Sequence, residues 1–551
     1  MGQLFWARLI ELENSVNTVT FLTPNLIKMK KNTKLKFGVK ELDCQTNQLI
    51  VRKAEDLNQG KIKNSIAIFF SRIITGIKSR LGPGGETSTT EQPEARGADE
   101  KQCLKDRVVA FLINIKKIIT SKLQLKKEIQ ADWIKEGKLK DLNITGRKDA
   151  IIVFMTTDLA KRLGIPLNLT YQVHLEDDSI TIGPTIGLLL GTKKQNYTPE
   201  FMTEHYSNRM RICSSIGGII VAYSTAAVNW NEQTVSGLLY RPDDLAWVPI
   251  TTTIPKVNYR RHIFQPKFSV FRSNLVKQGG IIFNSNRFSK WQVHQILEKN
   301  PLFMQYLPET ILPQSYDKLV EFIKRHPKII LKPKTGSMGN GILIIERQVI
   351  NDSEEQFILA DYRSNQKAKK QTVYSRKTLK AFLDKLAAFE SNKYICQKFI
   401  DLATVNGSIF DIRILMQKGK EMTWHISGIA CRIANSNKKI SNLAAGGKAI
   451  PIEKLVDNLD YQISLENLTD SLNRLCSEFC FWMDQRTRQH YAEFGLDVGL
   501  AKNGSLWFIE ANFRPGFKGF KTFDHDIYLE IGYQPFRYAT AIQGFYVNEQ
   551  F

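Results

Sequence analysis

Ile329-Ile-Leu-Lys-Pro-Lys-Thr-Gly-Ser-Met-Gly-Asn-Gly-Ile-Leu-Ile-Ile345 is the stretch whose reading decides the fold. An apolar run ends at Lys332, a glycine-containing loop follows, and a second apolar run begins at Ile342. The pattern reads as strand, lysine, loop and returning strand. Lys332 then leaves the strand end at a defined point. Thr335 to Gly341 offers small residues and free backbone N–H groups, and glycine lets backbone approach phosphate oxygens closely. No Gly-Lys-Ser/Thr follows, so this is not a Walker A loop. Taken alone, the segment also fits an ordinary glycine turn in a hairpin.

A second stretch narrows the choice. Gly495-Leu-Asp-Val-Gly-Leu leads through Asn503-Gly504 into Leu506-Trp-Phe-Ile-Glu-Ala-Asn-Phe-Arg-Pro-Gly516. This predicts a hairpin. Glu510 and Asn512 are two apart and share a face, and Asp497 can lie beside them on the partner strand. Carboxylate and amide oxygens suit magnesium, with water and phosphate completing its shell. The alternative for this hairpin alone is a set of exposed polar residues. A loop over phosphates plus a magnesium-type oxygen cluster describes a nucleotide-using chain.

The 551 residues predict two to four domains, and 42% hydrophobic with 24% charged residues is an ordinary globular balance. No apolar run reaches the roughly 18 residues of a membrane span. Met1-Gly-Gln-Leu-Phe-Trp-Ala-Arg lacks the pattern of a secretory signal, so a cytoplasmic location is the default expectation. The seven cysteines are scattered. Cys476 and Cys480 stand one helical turn apart without a second pair to complete a zinc site, and read as reduced thiols. The net charge of +23 suits anionic partners. There is no specific nucleic-acid motif, and a general solubility effect explains the charge equally well.

The expected fold class is α/β (α+β). Residues 1–192 read as a β-rich N-terminal domain with a basic helical insertion at about 61–140. Residues 193–285 read as a Rossmann-like domain, and 286–545 as the domain carrying both motifs. Thr157–Gly164 is expected to be a short helix, and helices are also expected at Thr198–Arg211, Lys290–Leu297, Tyr316–Arg325, Arg376–Glu390 and Asn467–Phe494. The insertion holds 17 Lys/Arg against 9 Asp/Glu and two amphipathic apolar faces. Such helices could lie on an anionic membrane surface, or pack on each other or on the body.

Both motifs together, in this order and spacing, resemble the ATP-grasp superfamily. Within it the chain is similar to the YheC/YheD group of endospore coat-associated proteins. The likeness runs from about Leu35 to Phe520. It is strongest in Phe288-Ser-Lys-Trp-Gln-Val-His, Leu307-Pro-Glu-Thr310, Leu331-Lys-Pro-Lys-Thr-Gly-Ser-Met-Gly-Asn-Gly-Ile, Asn442-Leu-Ala-Ala-Gly-Gly447 and Phe508-Ile-Glu-Ala-Asn. Ile182-Gly-Pro-Thr-Ile-Gly-Leu-Leu is similar to the group's N-terminal segment, whereas the insertion is foreign to it.

The resemblance implies an ATP-grasp core of two α+β subdomains that binds ATP and Mg2+. Lys290 and Lys332 would contact the phosphates, with Thr335, Gly336, Ser337, Gly339 and Gly341 in the closing loop. Gln397, Lys398, Phe399 and Ile400 would hold adenine. Arg413 would reach the γ-phosphate or an acyl phosphate, and Asn442 would lie at the substrate end. Asp497, Glu510 and Asn512 would bind magnesium. Arg514 stands where small polar residues are more familiar in the group, and would mark an acidic substrate or point to solvent. The implied activity is a carboxylate–amine (peptide-type) ligase working through an acyl phosphate, with unknown small-molecule or peptide carboxylate and amine partners. The competing reading is a non-catalytic ATP-binding structural protein. In either case the resemblance implies a link to the spore coat or cell envelope, and segment 61–140 could contact coat components or an anionic membrane surface. No Ser/His or Cys/His nucleophile is required, and His294 and His326 read as helix-surface or packing residues.

Overall fold

The computed structural model describes residues 3–12, 18–23, 34–43, 48–53, 151–176, 179–261, 268–334, 341–351, 354–362, 371–386, 393–434, 447–459 and 463–548. The basic helical insertion at about 61–140 lies outside these residues. So do Thr335, Gly336, Ser337, Gly339 and Asn442.

The described chain is mixed α+β and builds four sheets. The first contains β1 (Gln3–Leu12), β2 (Thr18–Thr23), β3 (Lys34–Phe37), β4 (Lys40–Asp43), β5 (Gln48–Lys53), β6 (Ile151–Thr156), β7 (Leu169–Leu175) and β8 (Ser179–Gly183). Their order is β4-β3-β8-β7-β1-β6-β2-β5. Strands before and after the insertion thus interleave, with β1 parallel to β6 and antiparallel to β7.

The second sheet has a parallel centre. β9 (Thr185–Leu189) lies between β10 (Ile219–Ala222) and β14 (Val257–Arg260), and β15 (Ile281–Phe283) follows β14. β11 (Val228–Asn229), β12 (Thr234–Arg241) and β13 (Ala246–Thr253) add an antiparallel flank. β9 precedes residue 193, so the chain enters this sheet directly from β8. Leu9, Phe37 and Tyr171 of the first sheet share one apolar cluster with Val221, Tyr223 and Phe271 of the second region.

The third sheet orders β16 (Thr310–Ile311), β21 (Tyr394–Lys398), β17 (Lys328–Pro333), β18 (Ile342–Asn351), β19 (Glu354–Tyr362) and β20 (Gln371–Tyr374). The helix Tyr316–Arg325 packs on it, burying Leu319, Phe322 and Ile323. The fourth sheet contains β22 (Thr404–Val405), β23 (Ser408–Lys418), β24 (Trp424–Ile433), β25 (Lys448–Ile450), β26 (Glu493–Leu500) and β27 (Leu506–Asn512), with β22 paired to β23.

The helix Leu465–Thr487 covers the fourth sheet. Leu468, Leu472, Leu475, Cys476, Phe479, Cys480 and Met483 recur every three or four residues and are buried, which is the stripe that fixes a helix to a sheet. Ser464 caps its start. The expected helix ran on to Phe494, but it ends at Thr487. Arg488 adopts the left-handed region at φ 48°, and Glu493–Leu500 becomes a central strand buried along its whole length. Burial of that apolar run between β23 and β27 wins over helical continuation.

Candidate active site

The cleft lies between the third and fourth sheets. Lys332 stands on β17 opposite Ile395 of β21, one residue before Pro333. After the closing loop the chain returns at Gly341, whose φ of 86° suits glycine, and where a Cβ would come within 2.6 Å of Pro333 Cγ. Lys290 approaches from another element. It is the first residue of the helix Lys290–Leu297, and a reciprocal capping box between Ser289 and Gln292 sets where that helix begins. The Lys290 amide donates to the Lys334 carbonyl at 3.2 Å, tying the two lysine-bearing segments together. Burial pushes the Lys332 ammonium down to about 8, nearby Lys290 pushes the same way, and Glu510 opposes them.

Across the cleft, register aligns charged residues over four strands. Asp411 faces Arg432, Arg413 faces Asp497, and Asp497 faces Glu510, with a bulge just after Asp497. Arg432 Nε meets Asp411 Oδ1 at 2.5 Å, and its Nη2 meets Asp497 Oδ2 at 2.9 Å. Arg413 also grips Asp497 through Nε and Nη2, the latter at 3.0 Å. Burial works against the Asp497 carboxylate, but Arg413 and Arg432 outweigh it and hold its pKa below the usual range. Glu510 pairs with Lys290. The Asn512 side-chain nitrogen lies 3.4 Å from Asp497 Oδ2 and 3.3 Å from Glu510 Oε1, so all three side chains meet at one point.

Room for this arrangement comes from Gly495, which pairs with Asn512. A Cβ there would lie 2.7 Å from Pro515 Cβ and 3.5 Å from Arg413 Cδ. The cleft walls carry Phe288, Val293, Leu307, Ile395 and Phe508 as apolar surface, with Arg287, Lys290, Lys334 and Arg514 as cations. Glu510 is the one carboxylate on the described lining. The result is an apolar slot leading to a strongly cationic end that holds one acid and one amide.

Residues 280–542 match the model of the YheC/D-like ATP-grasp family. The segment is a YheC/D-like ATP-grasp domain. Over 423 residues the chain is 24% identical to the endospore coat-associated protein YheD of Bacillus subtilis, covering 74% of this chain and 90% of that protein. Over 229 residues it is 25% identical to YheC of the same organism, covering 42% of this chain and 60% of YheC. Among solved structures it aligns with the ATP-grasp ligase PsnB complexed with minimal precursor, Mg and ADP. That alignment has 12% identity and a TM-score of 0.37, over 65% of this chain and 99% of that one. D-alanyl-alanine synthetase A of Vibrio cholerae aligns with 11% identity and a TM-score of 0.35, over 65% and 93% of the two chains.

Within the ATP-grasp domain, Lys290, Gln397, Glu510 and Asn512 line the cleft, Lys332 feels the charges of Lys290 and Glu510, and Gly341 stands against Pro333. Gln397 is buried and donates to Thr310 Oγ1 at 2.9 Å. The neighbouring amides are already used: Lys398 N–H donates to the Glu309 carbonyl at 2.9 Å and Phe399 N–H to the Lys328 carbonyl at 3.0 Å. Ile400 follows them at the strand exit. Arg413 is brought to the site but spends its guanidinium on Asp497. Asp497 in turn faces two arginines, so of the expected oxygen trio Glu510 and Asn512 are the members that line the cleft.

His294 is mostly buried, stacked on Trp291 and 3.5 Å from Glu298, and burial lowers its pKa. Sequence reasoning passed over Lys334, Arg287 and Arg432. A charged residue inside the apolar run Ile429-Ala-Cys-Arg-Ile was a signal for Arg432, because a buried strand cation needs an acid opposite it.

Proposed function

We propose that the chain is an ATP- and Mg2+-dependent carboxylate–amine ligase. The observation that carries this reading is the meeting of Lys290, Lys332 and Lys334 with Glu510 and Asn512 at the end of an apolar slot. Adenine would lie along Ile395 and Gln397, meeting the hinge groups of Lys398 to Ile400 that the sheet has not used. The lysines would receive the phosphates, with Thr335, Gly336, Ser337, Gly339 and Gly341 closing over them. The donor set fits a hard cation, because carboxylate and amide oxygens with open positions suit magnesium. Glu510 and Asn512, backed by Asp497, would hold magnesium, which supplies charge neutralisation between the phosphates when bound.

The chemistry needs positioning and charge more than a nucleophilic side chain. A substrate carboxylate oxygen attacks the γ-phosphorus, the bond to the β,γ-bridging oxygen breaks, and ADP leaves. The amine nitrogen then attacks the acyl carbon, phosphate departs, and the amine proton passes to solvent. Glu510 would hold the cation, and Lys290, which pairs with Glu510 here, would contact phosphate. Arg413 stays with Asp497 and fixes the hairpin beneath the reacting groups, and Asn442 would serve the substrate end. Both curated relatives are named endospore coat-associated, and the same setting is proposed here. No helix among the described residues is long and apolar enough to cross a membrane.

The test is ADP formation by the purified full chain across a panel of amino acids and short peptides, with hydroxylamine present to trap an acyl phosphate as hydroxamate. Carboxylate-dependent ADP release with matching hydroxamate supports the ligase. ATP binding with no carboxylate-dependent release on any pairing would leave a nucleotide-binding protein without ligase activity.

A further inference from the structure

Beyond Asn512 the chain leaves β27 through Phe513-Arg-Pro-Gly516. Arg514 lies two residues past Asn512, in the bend that follows β27, and lines the same cleft as Arg287. Arg260 and Arg261 approach from the end of β14. Beside the two cleft arginines, Arg261 meets the buried acid Glu493 and donates to the Pro515 carbonyl next to Arg514.

That acid is already taken. Glu493 is fully buried and accepts from Tyr259 Oη at 2.9 Å, Asn284 Nδ2 at 3.0 Å, Arg261 Nη1 at 3.3 Å and Gln417 Nε2 at 3.4 Å. Two of the arginines have structural work as well. Arg261 donates to the Pro515 carbonyl at 2.6 Å and lies over the Phe517 ring. Arg260 donates to the Ser285 carbonyl at 2.7 Å and lies over Phe268. Arg287 and Arg514 have no ion-pair or hydrogen-bond partner among the described residues. Cations crowded at the end of a cleft with no counter-charge make it complementary to an anion. The nucleotide phosphates would have their own cations in Lys290, Lys332 and Lys334.

We propose that the Arg287–Arg514 end of the cleft is the pocket for the substrate to be activated, and that this substrate is a dicarboxylate. One carboxylate is gripped by the two guanidinium groups, whose planar fork matches a carboxylate through paired hydrogen bonds. The other then lies at Asn512 and Glu510, where the phosphoryl group arrives. The proposal rests on the ligase reading for the fate of the second carboxylate, and on the arginines alone for the recognition of the first.

The experiment is calorimetric titration of the full chain, saturated with Mg2+ and a non-hydrolysable ATP analogue, with succinate, glutarate and adipate. Butyrate and glutaramide are the single-charge and neutral controls. At least one dicarboxylate should bind roughly tenfold or more tighter than butyrate, in line with a charge-assisted pair. Arg514→Gln and Arg287→Gln should each abolish that advantage while keeping nucleotide affinity within about twofold, which also reports that the variants are folded. The proposal is overturned if no dicarboxylate binds nucleotide-loaded wild type, or if the advantage survives both substitutions. It is also overturned if the substitutions weaken nucleotide binding as much as dicarboxylate binding, since the arginines would then serve the phosphates. Wild type that binds no nucleotide yet still shows Arg514-dependent glutarate binding would sink the ligase reading and support the anion pocket by itself.

Discussion

On the sheet around β23, each buried charge meets its opposite: Arg432 holds Asp411 and Asp497, and Arg413 holds Asp497 again. On the sheet around β17, Lys332 projects toward another lysine, and burial and Lys290 both drive its pKa down. Both regions take charge out of water, which costs free energy unless it is compensated. The first is compensated within the protein and forms a rigid floor. The second is left short of anions, as a site awaiting phosphate should be. Among the described residues, the Glu510–Lys290 pair bridges the two regimes.

The comparison breaks most visibly if the floor is cut. Arg432→Met takes one arginine from Asp411 and one of the two arginines from Asp497, and loss of one partner of a buried pair costs about 3–5 kcal/mol. Denaturant unfolding should show a drop of that order, whereas an effect below about 1 kcal/mol would mean that the row of charges is an exposed surface network. Lys332→Met should do the reverse. Nucleotide-analogue affinity should fall by roughly tenfold to a hundredfold, the worth of one charge-assisted hydrogen bond, while thermal stability rises.

The sign of that gain follows from linkage. The folded chain holds the Lys332 proton less tightly than the unfolded chain does, so the penalty is full below about pH 8 and fades as pH approaches the ordinary lysine value of 10.5. The stability advantage of Lys332→Met should therefore be largest near neutrality and shrink in alkaline buffer. An advantage independent of pH across that window would remove the explanation. In the wild type, analogue affinity should be flat below about pH 8 and decline above it, because the free site loses its proton first.

Gly495→Ala sharpens the account of the floor. A Cβ 2.7 Å from Pro515 overpacks the turn toward Arg514, and overpacking typically costs about 1–3 kcal/mol. The smallest effect is expected at Lys318, whose 3.4 Å pair with Glu321 is exposed on both sides. Lys318→Ala should change stability by no more than about 0.5 kcal/mol, and a larger change would show that exposed pairs matter here too.

The legible part of this site was local. Lys332 at a strand end, the glycine return at Gly341 and the Glu510/Asn512 spacing are read from period and composition, whereas Lys290 came only from the resemblance to the ATP-grasp superfamily. What escaped depends on register. Nothing in the sequence says that Arg432 faces Asp411, or that Arg413 is held by Asp497, because a shift of one residue would send these side chains to the other face. The helix end near Thr487 was misread for a related reason: Tyr491 to Leu500 suits either a helix or a buried strand until its two neighbours are known. Arg287 and Arg514 are far apart in sequence and converge only through the packing of the sheets.

The most direct measurement is calorimetric binding of a non-hydrolysable ATP analogue, with and without Mg2+, to the wild-type chain and to Lys332→Ala and Glu510→Gln. The account predicts magnesium-dependent binding to the wild type, weakened in Lys332→Ala at any magnesium level and deprived of its magnesium dependence in Glu510→Gln. Folded wild-type protein that binds no nucleotide, or variants that bind as the wild type does, would contradict it.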